Sequence, residues 1–340
     1  MLFLAAPCGS LGCRPPQYLV RIISNMTPNT PDELVVTGGE SSKRLDVFLA
    51  NRDATFSRTA LQRLIEEGNI LINGRRVRPS YKIRPGDRIT LDVPRPEPLD
   101  LKPEAIAFEQ LYEDADLLVL NKPAGLVVHP APGNWTGTLV NALLHHFSLS
   151  GDTPSSVGGK ERPGLVHRLD KETSGVMVIA KSELAYSRLK NAFRRRDIDK
   201  IYHALVQGHP DPLTGTIDAP IGRHVKSDWK FAVKDDGKPS ITHYETLEAH
   251  RFASLLEIRL ETGRTHQIRV HMAALKHPCV GDLTYGADPK LASRVSLERQ
   301  WLHAVRLGFE HPIKGDYVEF ECNYPTDLTA ALEIIRAVDH

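Results

Sequence analysis

With 340 residues, 41% of them hydrophobic and 25% charged, the chain has room for about two domains and the composition of an ordinary globular protein. Lysine and arginine outnumber aspartate and glutamate by only 43 to 42, so a nucleic-acid partner cannot be argued from total charge and has to come from local asymmetry. The four cysteines (Cys8, Cys13, Cys279, Cys322) form no Cys-x-x-Cys pair, which excludes a disulfide framework and suits reduced thiols in a cytosol; the fifteen histidines lack zinc-ligand spacing, so no metal is expected.

No apolar stretch approaches the roughly 18 residues that a membrane span needs. Met1–Ala6 is apolar but short for a signal segment and has no preceding positive charge. Residues 1–25 are therefore expected to be a poorly ordered extension, and Met26 would serve equally well as a start.

Residues 42–93 make a compact unit. Leu45, Val47, Phe48 and Leu49 give a short apolar helical face that Ser41-Ser42 can cap. Ser57 is placed to cap a second helix over Arg58–Glu67, with Leu61, Leu64 and Ile65 on one side and Gly68 at its left-handed terminus. Asn73-Gly74, between Ile70-Leu71-Ile72 and Val77, predicts a hairpin. Charge segregates here: residues 43–93 carry eleven Lys/Arg against six Asp/Glu. Arg58, Gln62 and Arg63 share one helix, and Arg75, Arg76 and Arg78 follow the turn, the footprint of a reader of phosphate backbones.

The pattern Ser57-Arg58-x-x-Leu61-x-x-Leu64-Ile65-x-x-Gly68-x-Ile70-x-Ile72-Asn73-Gly74 resembles the S4 RNA-binding domain, a small α+β module. That resemblance implies that Arg58, Arg63, Asn73 and Arg75 face RNA, with contacts mostly to the backbone that position rather than specify.

Residues 94–105, with Pro94, Pro96, Pro98 and Pro103, read as a stiff extended linker, and a second domain occupies 106–340. Asp116–Pro130 reads as two β-like runs joined by a Pro-x-Gly turn, Thr138–Phe147 as a helix, and 148–162 as a mobile polar loop. Next come Pro163-Gly164-Leu165-Val166-His167-Arg168-Leu169-Asp170-Lys171-Glu172-Thr173-Ser174-Gly175 and the apolar run Val176–Ala180, a buried strand. Placing His, Arg and Asp within four residues beside a core strand is costly unless the charges are paired or hydrogen-bonded, and such clusters are either structural ion pairs or functional. A helix follows over 182–197, then strands at 200–206, 240–249 and 254–261 and a tight turn at 262–266 opening a helix. No regular β-α alternation appears. The fold expected is α+β, a large mixed and mainly antiparallel β-sheet with flanking helices.

Several chemistries can be set aside. Glycosidases need two carboxylates about 5 to 10 Å apart, serine hydrolases a Gly-x-Ser-x-Gly elbow, and nucleotide cofactors a glycine-rich phosphate loop. The first has no clear counterpart here and the other two are absent, so no cofactor is expected. A lone aspartate near an arginine would stay ionised and could act as nucleophile or base.

The run His167-Arg168-Leu169-Asp170-x-x-Thr173-Ser174-Gly175 resembles the signature of the RluA/RluD family of RNA pseudouridine synthases. Leu120-Asn121-Lys122-Pro123-x-Gly125, Lys200-x-Tyr202-x-Ala204-x-Val206-x-Gly208 and Thr262-Gly263-Arg264-Thr265-His266-Gln267-Ile268-Arg269-x-His271 agree with it in order, and Leu302-His303-Ala304 with His311-Pro312 resembles the family's C-terminal segment. The resemblance implies isomerisation of uridine in RNA to pseudouridine, with Asp170 as catalytic aspartate, Tyr202 stacked on the base, Arg264 in a salt bridge to Asp170 and Ile268 as an apolar wall. Arg168 would enter the duplex or hold a phosphate, and His167 is grouped with it on the substrate side without a defined role. The target has to be flipped out of its stack. An S4 domain ahead of the catalytic domain implies large-subunit ribosomal RNA as the substrate, with transfer RNA as the alternative substrate and a non-catalytic assembly factor as the alternative function; a cytoplasmic monomer is expected.

Overall fold

The computed structural model describes residues 32–40, 42–52, 58–92, 101–130, 134–150, 163–224 and 227–338. The extension at 1–25, the Ser57 cap and most of the 148–162 loop lie outside the described residues. The chain divides into two compact units, Met1–Pro98 and Leu99–His340.

The first unit contains β1 (Asp32–Val35), α1 (Leu45–Arg52), α2 (Arg58–Glu67), β2 (Ile70–Ile72) and β3 (Arg88–Leu91), the strands forming an antiparallel sheet in the order β1-β3-β2. Helix α2 buries Leu61, Leu64 and Ile65 against Ile70, Ile72, Ile89 and the apolar face of α1. Gly68 ends it at φ +86°, where a side chain would meet the Arg76 guanidinium. Two expectations change. Ser42 does not cap α1: the amides of Leu45 and Asp46 donate instead to the carbonyls of Tyr81 and Pro79, at 2.8 and 3.1 Å. The same contacts end the hairpin early. Asn73 and Gly74 both have positive φ and Ile72 and Arg75 exchange two hydrogen bonds, but the chain then turns to close the start of α1, and β2 pairs with β3.

The second unit comprises β4 (Glu109–Glu113), β5 (Leu117–Lys122), α3 (Leu139–Ser150), β6 (Ser174–Ala180), α4 (Glu183–Arg195), β7 (Ile198–Gln207), β8 (Thr214–Asp218), β9 (Ile221–His224), β10 (Ser227–Val233), β11 (Ile241–Ala249), β12 (Ala253–Leu260), α5 (Gln267–Ala274), α6 (Pro289–Arg294), β13 (Leu302–Glu310), β14 (Tyr317–Glu321) and α7 (Thr326–Ala337). A nine-stranded sheet runs β4-β5-β6-β13-β7-β12-β11-β8 with β14 added on β13; β9 and β10 form a separate hairpin. Its pairings are antiparallel except β6 with β13. The chain is thus α+β with a large, mainly antiparallel sheet.

Every residue of β6 is buried, because alternate residues serve opposite faces. Val176, Val178 and Ala180 pack with Ala185 and Leu189 of α4, whereas Met177 and Ile179 pack with Leu139, Leu143 and Phe147 of α3. Ser182 caps α4 by accepting from the Ala185 amide. The expected strand after the Pro-x-Gly turn is instead a lead into α3, since the Val127 and Val128 carbonyls accept from the Leu139 and Val140 amides. The expected linker is also shorter at its C-terminal end: the Glu104 amide donates to Asn141, whose side chain donates back to Lys102.

Candidate active site

The loop 163–173 leads into the middle of the sheet, and its path is set by two glycines. Gly164, at φ +70°, lies so close to β6 that a Cβ would fall 2.2 Å from the Ala180 carbonyl. Gly175, at φ +126°, faces β13, where a Cβ would fall 2.2 Å from the Ala304 carbonyl. Between them the backbone is fastened from several sides. The fully buried Lys122 ammonium donates to the carbonyls of Pro123, Leu126 and Lys171 at 2.7–3.0 Å. Burial pulls its pKa down to about 7, Glu172 and Asp170 acting in the opposite direction. Arg299 donates to the Glu172 carbonyl at 2.9 Å and the Gln300 side chain to Thr173 Oγ1 at 3.2 Å.

The facing wall is the turn before α5. The Gln267 carboxamide accepts from Thr262 Oγ1 and the Arg264 amide and donates to Ile241 O and Thr242 Oγ1, so one buried side chain holds the turn and ties it to β11. His266 stands in the left-handed region at φ 56°, and Gln267 through Met272 are buried. Together the two segments and Tyr202 border an open cleft with a cavity volume of about 90 Å³, lined by Arg168, Asp170, Tyr202, Arg264, His266, Ile268 and Arg269, among others.

Asp170 is set on the cleft wall, its side chain 17% exposed. Arg269 Nη1 is 3.8 Å from its Oδ2, and His266 Nε2 is 3.9 Å away. Among the described residues no donor comes within hydrogen-bond distance of this carboxylate. Arg269 is itself fixed by a bidentate pair to the buried Asp282, at 2.7 and 2.8 Å. Burial works against its charge, but the hydrogen bonds and charge of Asp282, with Asp170 adding to them, raise its pKa above the ordinary arginine value. Tyr202, on β7, packs against the apolar clusters on both sides of the cleft. Burial, reinforced by the Asp170 charge, raises its phenol well above the usual value. Ile268, 4% exposed, is both core and cleft wall, and Arg168 is exposed at the rim.

The structure corrects three of the expected roles. Arg264 lines the cleft but makes no ion pair with Asp170; its Nε donates to the Pro239 carbonyl at 3.2 Å. The partner is Arg269, five residues on, because the left-handed His266 turns the chain and brings the third residue of α5, rather than the turn, toward Asp170. His167 does not line the cleft. Its Nε2 accepts from the Val178 amide at 3.0 Å and its ring stacks on Phe193 at 4.7 Å, so it fastens the loop to β6 and α4. Burial, with Lys200 adding to it, lowers its pKa to about 3 and keeps it neutral. In the first unit, Asn73 has both ends of its amide engaged within the fold, donating to Asp87 and accepting from the Arg88 amide, each at 2.9 Å.

The other expected RNA contacts differ in how committed they are. Arg58 pairs with the buried Asp46 at 2.9 Å, Arg63 makes only an exposed contact with Glu67 at 3.6 Å, and Arg75 is exposed. Lys122 and Arg269 are the residues that motif reading left without a role. A lysine ending the apolar run Leu117–Leu120 was the available signal for the first.

Residues 116–274 match the RNA pseudouridylate synthase family and residues 43–89 match the S4 domain. An uncharacterised RNA pseudouridine synthase of Mycobacterium bovis is 52% identical over 303 residues, covering 88% of this chain and 97% of the relative. Proteins named ribosomal large subunit pseudouridine synthase D are 44% identical in Zymomonas mobilis, over 86% of this chain and 93% of the relative, and 39% identical in Escherichia coli O157:H7, over 89% and 93%. Among solved structures, human RNA pseudouridylate synthase domain containing 4 superposes with a TM-score of 0.53 at 27% identity, covering 67% of this chain and 93% of that one. A cleft built around one aspartate, an S4 match ahead of it and relatives aligned over nearly their whole length agree: the chain belongs to the RNA pseudouridine synthases, an isomerase family.

Proposed function

We propose that this enzyme converts specific uridines of large-subunit ribosomal RNA to pseudouridine, with Asp170 acting directly on the nucleotide. The observation that carries the reading is the state of that carboxylate. It faces a cleft, with Arg269 and His266 at 3.8 and 3.9 Å and, among the described residues, no hydrogen bond of its own. A carboxylate kept uncommitted inside a protein is open to a reacting atom.

In the reaction the C1′–N1 bond breaks, the uracil turns within the cleft, C5 bonds to C1′ and the C5 proton is lost to N1 through the site and solvent. Asp170 serves as nucleophile toward the base or sugar or as the base that assists the break, and Arg269 offsets its charge. Tyr202 gives a flat surface for the uracil, and its raised pKa keeps the phenol protonated as a donor. Ile268 closes the apolar side. A stacked uridine does not reach such a recess, so the nucleotide is flipped out at a cost of a few kcal/mol, and backbone contacts from Arg168, Arg264 and the S4 unit offset it.

The substrate class rests on the S4 unit and on relatives named for the large ribosomal subunit. A ribosomal RNA substrate supports a cytoplasmic enzyme, and a single copy supplying every residue invoked supports a monomer. Mapping pseudouridine in RNA from cells with and without the gene tests this. The expected result is loss of the modification at a few large-subunit rRNA positions. Loss confined to transfer RNA would contradict the substrate.

A further inference from the structure

Beside the Asp170 cleft lies a second recess that the reaction described above does not use. It shares Asp170, His266 and Arg269 with the first and extends over Glu172, Leu283, Thr284 and Arg299 to Trp229. Trp229 is 62% exposed on β10, at the point where the pairing of β9 and β10 is irregular between Ser227 and Phe231. A break in the ladder at a sheet edge is a common device for re-aiming a side chain.

The strand holding Trp229 is anchored at the two residues that follow it. Lys230 Nζ donates to the Thr284 carbonyl at 2.9 Å and sits 4.9 Å from the indole ring, and the Phe231 amide donates to the Tyr285 hydroxyl at 3.2 Å. The Phe231 ring meets His266 edge-on at 5.8 Å, and the Tyr285 hydroxyl contacts His266 Nδ1 at 2.8 Å. The strand that carries the exposed indole is thus tied, through Lys230, Phe231 and Tyr285, to the segment beside the histidine that faces Asp170.

We propose that Trp229 is a stacking platform for an unpaired base of the RNA next to the target uridine. This rests on the RNA-isomerase reading and adds a subsite to it. Charge at this recess favours a base over a phosphate as the occupant of the wall. The cations of the recess already face carboxylates, Arg299 on Asp327, Arg269 on Asp282 and Lys171 4.0 Å from Glu172, and Glu298 lines it too, whereas Trp229 and the exposed Leu283 offer apolar surface. An exposed indole stacks any base with little regard to identity, and the Lys230 ammonium beside it suits the phosphate that follows. A flipped uridine leaves its neighbour without a stacking partner on one side, and the continuity of the two recesses puts Trp229 where that neighbour would be.

The test uses the full-length enzyme with a large-subunit rRNA transcript and with hexauridylate. Trp229→Ala is expected to raise KM for the transcript roughly tenfold with kcat within about twofold, and Trp229→Phe to recover most of it. Trp135→Ala, which alters another exposed tryptophan (55% exposed), is expected to change neither. Hexauridylate should quench tryptophan fluorescence in the wild type and far less in Trp229→Phe. Unchanged KM in Trp229→Ala, or quenching that survives Trp229→Phe, overturns the subsite while leaving the isomerase reading intact. If the wild type fails to convert the transcript, it is the substrate assignment that falls, and the hexauridylate quenching still decides the stack.

Discussion

Two aspartates, one in each unit, show opposite uses of a carboxylate. Asp46 in the N-terminal unit is fully buried and saturated: Arg44 Nε and Nη2 and Arg58 Nε each donate to it at 3.0 Å, Gln62 at 2.7 Å and the Val47 amide at 3.0 Å. Those hydrogen bonds, Arg44's first, hold its pKa far below the ordinary carboxylate value against the effect of burial. Asp170 sits in a cleft with its nearest cations at 3.8 and 3.9 Å. The chain fastens the backbone around Asp170, through Lys122, Arg299, Gln300 and His167, and leaves the carboxylate with only its long contacts to Arg269 and His266 and, among the described residues, no hydrogen bond. Saturation makes a charge structural, and rigid support without saturation makes it available for chemistry.

Breaking the first arrangement should cost the most stability. Asp46→Ala strands Arg44, Arg58 and Gln62 at once and should lower the stability of the N-terminal unit by about 2–3 kcal/mol, read from urea melts. Arg269→Ala leaves Asp282 buried without its cation and Asp170 without its neighbour, so it should cost about 2 kcal/mol and most of the activity. Arg264→Ala should weaken RNA binding a few-fold at unchanged stability, because its guanidinium reaches only a carbonyl at the rim. Equal effects of the two arginine substitutions would erase the distinction drawn between them.

A smaller effect is expected from pH. His167 and His303 are neutral in the fold, burial lowering them to about 3 and about 4 from 6.5. Between about pH 6.5 and those values the unfolded chain holds protons that the native state does not, so stability should fall as pH is lowered through that window. His167→Gln, which can still accept from the Val178 amide, should flatten the slope by up to about 1.4 kcal/mol per pH unit in the lower half of the window. The smallest change should come from Arg63→Ala combined with Arg75→Ala. Stability should hold while the slope of log Kd against log salt falls by about two.

Much of this arrangement was legible in the residues, and the failures have physical causes. Helix α2 spans the expected Arg58–Glu67 before Gly68, and α4 forms within the expected 182–197 but stops at Arg195, where Arg196 turns left-handed; these signals are local. The strand β6 and the loop before it stood out for the same reason. Choosing between Arg264 and Arg269 required the direction in which α5 leaves the turn, and that depends on a non-glycine residue, His266, held in the left-handed region by tertiary contacts. Histidine 167 looked like part of a charged cluster because the amide it binds belongs to Val178, eleven residues away. The Asn73-Gly74 turn formed as its residues demand, but the chain beyond it was drawn away to close α1, a contact that no local pattern announces. Strands β8 to β10, with Trp229 among them, went unread because their alternation is short and mostly exposed.

The most direct test of the contrast between the two carboxylates is Asp170→Asn in the full-length enzyme, assayed in parallel for pseudouridine formation in a large-subunit rRNA transcript and for unfolding. The substitution keeps size and removes charge from a group whose contacts to Arg269 and His266 are long, at 3.8 and 3.9 Å. Turnover should fall below detection while the urea midpoint stays at the wild-type value and RNA binding stays within a few-fold. Retained turnover, or a loss of stability matching that of Asp46→Ala, would contradict the account.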